Sequence, residues 1–388
     1  MGQDARPTDA DALAACIEAA RGAAAPIRLH GGRGKDGLGY RAGGARLIDL
    51  SGLEGVVSYQ PDELVLVLRP GTRLAELDRL LAEHNQHLPC ETPHWGPAAT
   101  VGGAVACNLS GPRRFKAGAL RDFVLGVEWV DGRGRRVRAG GKVVKNVTGY
   151  DLAKVMCGSF GTLGALSEIC LKVWPRPQAQ RTLVQPRSDL AELRRLAGLP
   201  SEITGLALEC GGDAAGAGTA YIRVEGPGPA VAAQTDALRR QLRGETQVLE
   251  GADSETWWRH WRELESFAPA ADQRLWRFTL PSTQTESLLR RLRAQALNDQ
   301  ALNGQTLPCR CDWAGALVWA LLPASADAAG LHALAAAHEG TAWRFAAAGE
   351  DNPQAFTPLP PGPARLNARL KKAFDPDGLF DPQRLAGI

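Results

Sequence analysis

Short runs of aliphatic and β-branched residues bounded by glycine mark the first 175 residues, and 27–29, 46–50, 64–68, 123–130, 135–139 and 165–173 read as strands. Between them apolar residues recur at helical spacing over 9–21, 74–83 and 152–157. This mixture predicts an α+β lobe. At Trp174-Pro175-Arg176-Pro177 each proline fixes its own backbone and restrains the residue before it, so the segment should break any regular element and mark a domain boundary. Beyond it the texture changes to helices at 189–197, 230–242, 254–267, 283–296 and 326–338, alternating with single strands. The strand 219–225, followed by a Pro-Gly turn and a helix, is matched by the strand 316–322, followed by Pro323 and a helix. Two such halves would lay helices on one face of an antiparallel sheet, a second α+β layer; a chance likeness of two ordinary strand–helix units is the other reading. Residues 346–363, rich in Ala, Gly and Pro, read as a linker crossing the surface. A last helix at 363–374 leads to a terminal segment expected to return to the first lobe. The predicted organisation is 1–177, 178–350 and 351–388.

A chain of 388 residues exceeds one ordinary core, which agrees with two lobes. With 44% hydrophobic and 22% charged residues it has enough apolar side chain to bury a sizeable interior. The net charge of +3 comes from 45 basic side chains scattered among 42 acidic ones, so nucleic-acid binding has no compositional support. The local cluster Arg133, Arg135, Arg136 and Arg138 fits a solvated hairpin turn around Asp131-Gly132, with phosphate contact as the alternative. The opening Met1-Gly2-Gln3-Asp4-Ala5-Arg6 lacks the basic start and apolar core of a secretory signal, and no apolar run nears the roughly 20 residues of a membrane span. Eight cysteines lie mostly inside apolar stretches, as free thiols do in a reducing compartment. A cytoplasmic protein is expected, with any membrane contact made through partners. Cys309-Arg310-Cys311 is the one close cysteine pair and supplies neither an iron–sulfur cluster nor a zinc site, so no metal is expected.

The segment from Ile27 to His30 runs into Gly31-Gly32-Arg33-Gly34-Lys35-Asp36-Gly37. Glycines at this density let backbone N–H groups turn inward and a pyrophosphate approach closely, and Arg33 or Lys35 could add charge. A dinucleotide-binding unit of the ordinary NAD type needs a helix to begin at the glycine turn. Here Gly37-Leu38-Gly39-Tyr40-Arg41-Ala42-Gly43-Gly44 follows, and each glycine costs about 1 kcal/mol of helix stability. The loop should therefore join two strands. A second segment, Gly96 to Gly111, consists largely of small residues and would let backbone lie against a large flat ligand, with Thr100 or Asn108 adding hydrogen bonds. A third runs from Gly140 through Lys145-Asn146-Val147-Thr148-Gly149-Tyr150-Asp151 to Gly158-Ser159-Phe160-Gly161-Thr162-Leu163-Gly164.

Gly31–Lys35, Thr100–Gly103, Lys145–Asp151 and Gly161–Lys172 occur in the order and spacing of the vanillyl-alcohol-oxidase (PCMH-type) flavin domain, which the first 177 residues resemble. The wording around Gly32-Arg33-Gly34-Lys35-Asp36, Pro89-Cys90-Glu91 and Val144–Asp151 is similar to the FAD-binding subunits of multi-subunit glycolate oxidases. The resemblance implies a PCMH-type FAD domain with an α+β cap domain. It assigns cofactor contacts to Gly31, Gly32, Arg33, Gly34 and Lys35 in the first loop, and to Thr100, Val101, Gly102, Gly103, Ala106, Asn108 and Gly111 in the second segment. In the third it assigns Lys145, Gly149, Tyr150, Gly164, Glu168 and Ile169. Some relatives attach the flavin through a histidine where this chain has Arg33, which implies noncovalent FAD; His30 is expected to pack at a strand end. The family's terminal pattern reads here Phe374-Asp375-Pro376-Asp377-Gly378-Leu379-Phe380-Asp381-Pro382-Gln383-Arg384, departing from it at Asp381 and Gln383.

Relatives that oxidise 2-hydroxy acids carry a histidine-rich metal-binding segment in the cap, and this chain has nothing like it. After residue 177 its histidines are His260, His332 and His338, the last two expected at the surface. The resemblance then implies a subunit that binds FAD beside a homologous catalytic flavoprotein subunit and an iron–sulfur subunit, the assembly oxidising glycolate to glyoxylate. No catalytic residue is assigned. The rivals are a self-sufficient 2-hydroxy-acid dehydrogenase of the D-lactate type, a flavin reductase of the cell-wall pathway and a non-catalytic assembly subunit. Trp257-Trp258-Arg259-His260-Trp261 reads equally as a partner anchor or as cap-domain core.

Overall fold

The computed structural model describes residues 5–40, 44–141, 151–211, 217–298, 307–347, 350–381 and 384–385. In chain order these form α1 (Ala10–Gly22), β1 (Ile27–His30), β2 (Arg46–Asp49), β3 (Val56–Gln60), β4 (Val65–Leu68), α2 (Leu74–Glu83), β5 (Gln86–His87), α3 (Val101–Cys107) and α4 (Arg114–Ala117). Then come β6 (Val124–Val130), β7 (Arg136–Gly140), α5 (Leu152–Met156), β8 (Ala165–Lys172), β9 (Trp174–Pro175), β10 (Ala179–Ser188), α6 (Leu190–Ala197), β11 (Ile203–Cys210) and β12 (Gly218–Gly226). The remainder is α7 (Gly228–Gln241), β13 (Gln247–Glu250), α8 (Gly251–Glu263), β14 (Gln273–Thr279), α9 (Thr285–Asn298), β15 (Cys309–Asp312), β16 (Leu317–Pro323), α10 (Ala328–Ala337), β17 (Thr341–Phe345) and α11 (Pro361–Phe374). Two compact units result, one from Met1–Ser110, Ala119–Arg176 and Leu359–Ile388, the other from Gly111–Gly118 and Pro177–Pro358.

In the first unit the Asp9 carboxylate caps α1 by accepting from Ala12 N at 2.8 Å, and Leu13, Ile17 and Ala20 bury one stripe at helical spacing. That stripe packs with Ile27, Ile48, Leu379 and Phe380. β1 and β2 pair in parallel, and the C-terminal segment closes on β1 through Ile27 N to Leu379 O and Asp381 N to Ile27 O, both 2.7 Å. A separate antiparallel sheet runs β3-β4-β8-β6-β7. Within the small-residue segment after Gly96, Val101–Cys107 is helical, with the Thr100 hydroxyl accepting from Gly103 N at 3.2 Å as its cap. One sequence expectation fails here: the proline-rich boundary does not stop pairing, since Trp174–Pro175 adds a short strand to Gln86–His87.

The second unit is an eight-stranded antiparallel sheet of order β13-β10-β12-β11-β15-β16-β14-β17. Each half follows β-α-β-β-α-β, and the strand order read inward from either edge is the same, so the strand–helix likeness seen in the sequence is an internal repeat. The halves meet where Leu208 faces Cys311 and Glu209 faces Arg310. Leu206, Leu208, Ile222 and Val318 form a core with leucines of α6, α7 and α9 and with Leu331 of α10. The helices are not confined to that face, because Trp258 and Trp261 of α8 pack on Ala207 and Tyr221, which alternate to the other side. Trp258 and Trp261 are thus core, while Trp257 is half-buried against Tyr221, ring centroids 3.8 Å apart. His332 and His338 are buried, not at the surface. Part of the expected surface linker is buried too: Phe356 bridges to Trp343, and Asn352, Ala355 and Thr357 are covered. Among the described residues no helix is long and apolar enough to cross a membrane.

Candidate cofactor site

In the first unit the loop after β1, the start of α3 and the turn at 159–161 enclose an open cleft of roughly 800 Å³. The loop closely follows the 95–100 segment: a Cβ on Gly31 would come within 2.6 Å of Thr100 Oγ1, one on Gly32 would overlap the Ala98 carbonyl, and one on Gly34 the Trp95 carbonyl. Glycine is therefore required here by protein packing. Lys35 ties the two segments together, its Nζ donating to Pro93 O at 3.0 Å and His94 O at 3.3 Å. The third side docks through Gly158 N to Val105 O and Phe160 N to Ala106 O, at 3.0 and 2.9 Å, with Phe160 and Gly161 both left-handed.

The donor set suits an elongated anionic ligand. Arg33 sits at φ 58°, the break in extended backbone from which nests of N–H groups are made, and among the described residues the amides of Gly32, Arg33 and Gly34 donate to no protein acceptor. Two further donors line the cleft: His30 Nε2 and Arg384 Nε are buried without a hydrogen-bond partner. Buried polar atoms are seldom left so, and their meeting in one cleft marks them for a ligand. Burial pushes the Cys107 thiol up, an effect opposed by the charges of Lys35 and Arg384, which line the same cleft. Pro70, Ala99, Leu50 and Leu166 supply apolar lining.

Residues 3–140 match the family model described as an FAD binding domain. The chain is 37% identical over 363 residues to the glycolate oxidase subunit GlcE of Escherichia coli, covering 93% of this chain and 92% of that one. This chain belongs to the GlcE family. It is also 31% identical over 191 residues to a D-lactate dehydrogenase of Archaeoglobus fulgidus, covering 47% of this chain and 40% of that one. A solved alkyldihydroxyacetonephosphate synthase superposes with a TM-score of 0.69 at 15% identity, covering 97% of this chain and 76% of that one, which shows the fold. The fold is the vanillyl-alcohol-oxidase (PCMH-type) flavoprotein fold, α+β with a cap, and the cofactor of this FAD-linked oxidoreductase family is FAD.

For this GlcE-family chain, Gly31, Gly32, Arg33, Gly34, Lys35, Thr100, Gly102, Gly103, Ala106 and Gly164 line the cleft. Val101 is core beside it. Asn108 ends α3 in a left-handed turn at φ 50° and accepts from Arg121 N at 3.1 Å, a structural task. The Gly111 carbonyl accepts from Trp313 Nε1 at 3.0 Å within the second unit. On β8, Glu168 lies 3.4 Å from Arg138 and Ile169 is fully buried between Leu68 and Val127. Lys145, Gly149 and Tyr150 fall outside the described residues. Sequence reasoning missed His30, which lines the cleft instead of merely packing at a strand end, and Asp36, Cys107, Phe160 and Arg384. The terminal motif drew attention to Arg384's surroundings but not to the cleft. Among the described residues no cluster of His, Cys, Asp and Glu could hold a metal ion.

Proposed function

We propose that this chain is the FAD-binding subunit of a multi-subunit glycolate oxidase, holding the flavin noncovalently and working beside a homologous catalytic flavoprotein subunit and an iron–sulfur subunit. The observation that carries the reading is the convergence of the glycine loop, the start of α3, His30 Nε2 and Arg384 Nε on one cleft, in a chain alike to GlcE over nearly its full length. Gly32, Arg33 and Gly34 offer amides, with Lys35 and Arg384 supplying positive charge, to the diphosphate. Arg33 stands where a covalent linkage would need a histidine, so the flavin is retained by contacts alone. When bound, FAD would supply this subunit with a redox centre able to take up electrons from the catalytic subunit as glycolate becomes glyoxylate and to pass them to the iron–sulfur partner. The residues lining the cleft bind and orient; His30, with its unpartnered Nε2, can donate one further hydrogen bond to the cofactor.

The test is an absorbance spectrum of the purified chain with and without anaerobic glycolate. A yellow protein that keeps its oxidised spectrum until the partner subunits are added supports the reading. A colourless protein unable to take up FAD ends it, and bleaching by glycolate alone would make this chain the dehydrogenase.

A further inference from the structure

The second unit carries an arginine whose charge has no counterpart among the described residues. Arg277 lies mid-strand in β14, directly across from Trp319 on β16 and Trp343 on β17. Its guanidinium sits 4.7 Å from the Trp343 ring centroid, 5.3 Å from that of Trp313 and 5.8 Å from that of Trp319. The side chain is 5% exposed, Nε is buried without an acceptor, and among the described residues no hydrogen bond or ion pair reaches it. Other buried arginines on the same face have a carboxylate beside them, although Nε and Nη1 of Arg310 are also unpartnered. Arg223 donates to Thr204 Oγ1 at 3.1 Å and lies 3.4 Å from Glu225, and Arg310 donates to Glu209 at 2.8 Å. The charged neighbour of Arg277 is instead another cation, Arg114, which stacks on Trp313 at 4.5 Å. Burial and Arg114 push the Arg277 pKa down to about 9, so the group is still charged at neutral pH.

Leaving a buried charge uncompensated is strongly destabilising, and ring faces offset only part of that cost. The cage is also built at the expense of backbone comfort: Trp313 and Ala314 are both left-handed, at φ 52° and 56°, in a turn held by Asp312 Oδ1 accepting from Trp313 N at 2.7 Å. Consecutive non-glycine residues in that region mark places where surroundings impose the conformation, as binding sites do.

We propose that Arg277 and its tryptophan cage form a binding site that receives the carboxylate of a small 2-hydroxy acid and holds it without dehydrogenating it. A planar guanidinium suits a carboxylate, and flat indole walls suit a ligand of few atoms. Dehydrogenation would also need a base for the hydroxyl proton; among the described residues no histidine stands at the cage, and the buried Asp312 beside it is engaged by Trp261 Nε1 at 3.1 Å and Trp313 N at 2.7 Å. His332 and His338 lie with α10 on the opposite side of the sheet, and His260 is exposed beside Glu265 at 3.4 Å. Only the choice of a 2-hydroxy acid, rather than another small carboxylate, rests on the function proposed above.

The test is isothermal titration calorimetry of the FAD-loaded full chain with sodium glycolate at constant ionic strength, with sodium chloride as the control titrant. Saturable glycolate binding, weakened about tenfold or more in Arg277→Gln, less in Arg277→Lys, and by a few-fold in Trp319→Phe, with the flavin spectrum still oxidised under anaerobic conditions, supports the site. Absence of saturable binding, an equal response to chloride, or binding indifferent to both Arg277→Gln and Trp319→Phe overturns it. Should Arg277→Gln fail to fold, Arg277→Lys and Trp319→Phe decide. Bleaching of the flavin by glycolate would overturn the claim that the acid is held unreacted. Loss of FAD binding with glycolate heats intact would instead strike the cofactor reading and leave this site standing.

Discussion

Arg113 grips Glu225 with both arms of its guanidinium, Nε to Oε2 at 2.9 Å and Nη2 to Oε1 at 2.7 Å. Glu225 is 5% exposed and also lies 3.4 Å from the fully buried Arg223. Burial alone would raise the Glu225 pKa, but Arg223 and Arg113 outweigh it and hold the carboxyl well below its ordinary range. Glu225→Gln removes the buried carboxylate that both guanidinium groups reach, and should destabilise the chain by about 3–5 kcal/mol. Because the folded-state pKa is depressed, the carboxylate's contribution is complete above the ordinary value of 4.5 and is lost as the pH falls through the folded value. Denaturant unfolding should therefore show the variant's deficit undiminished from pH 7 to pH 5. A deficit that vanishes already at pH 5 would contradict this assignment.

Gly32 is the tightest point of the cofactor loop, where an added Cβ would overlap backbone, the Ala98 carbonyl, which cannot rotate away as a side chain could. Gly32→Ala should push the loop from the 95–100 segment, at a cost of about 1–3 kcal/mol, and lower the flavin-to-protein absorbance ratio of the purified chain. Gly22→Ala, with open space around the added atom, serves as the matched control and should retain full flavin. Equal flavin content in the two variants would show that the loop's close approach is unimportant for binding.

How far the sequence revealed this site depended on whether the signal was local. β1, β4, β6 and β8 were legible because aliphatic runs ended at glycines or turns. The helix at Val101–Cys107 was not, because Gly102 and Gly103 lower helix propensity. Tertiary packing overrides that preference: a Cβ on Gly102 would come within 2.6 Å of the Pro70 side chain, so the glycine that weakens the helix is what lets it pack. The burial of His332 was equally hidden, since α10 is apolar almost all round and has no polar face against which to orient it. Arg384 reaches the cleft only because the terminal segment pairs with β1 from more than 350 residues away. Nothing in its local wording announces that pairing.

Arg384 should matter to FAD affinity out of proportion to its place near the end of the chain. Its backbone carbonyl accepts from Tyr40 N at 3.1 Å, which fixes the side chain against the cleft, while Nε is left without a protein acceptor. If the cofactor supplies that acceptor, Arg384→Met removes a charge-assisted hydrogen bond of about 1.5–3 kcal/mol, or about a ten- to hundredfold loss of affinity. Quenching of FAD fluorescence on titration with apoprotein measures it. Because Met keeps the apolar stem that packs on Gly39, the melting temperature of the apoprotein should hardly move. An unchanged dissociation constant would leave Arg384 a packing residue.

His332 makes the second unit sensitive to mild acid. Its ring lies 5.2 Å from that of Trp276, with Nε2 2.9 Å from the Gln354 carbonyl and Nδ1 3.0 Å from Thr357 Oγ1. A carbonyl can only accept, so Nε2 carries the proton, while Nδ1 lies beside the Thr357 hydroxyl, which itself accepts from Ala342 N at 2.7 Å and donates to Ala342 O at 3.3 Å. Burial lowers the pKa, the Gln354 hydrogen bond partly opposes this, and the charge of Arg344 adds to the lowering. The ring is therefore harder to protonate in the folded chain than in the unfolded one. The stability this confers is complete above the unfolded value of 6.5 and declines as the pH falls through the lower folded value. Thermal unfolding between pH 7.5 and pH 5 should show a loss that His332→Gln reduces, since glutamine fills similar space without titrating. At pH 7.5 the variant should be the less stable, having lost the paired ring contacts, and the two curves should converge toward pH 5. Parallel curves would mean that the proton is taken up elsewhere.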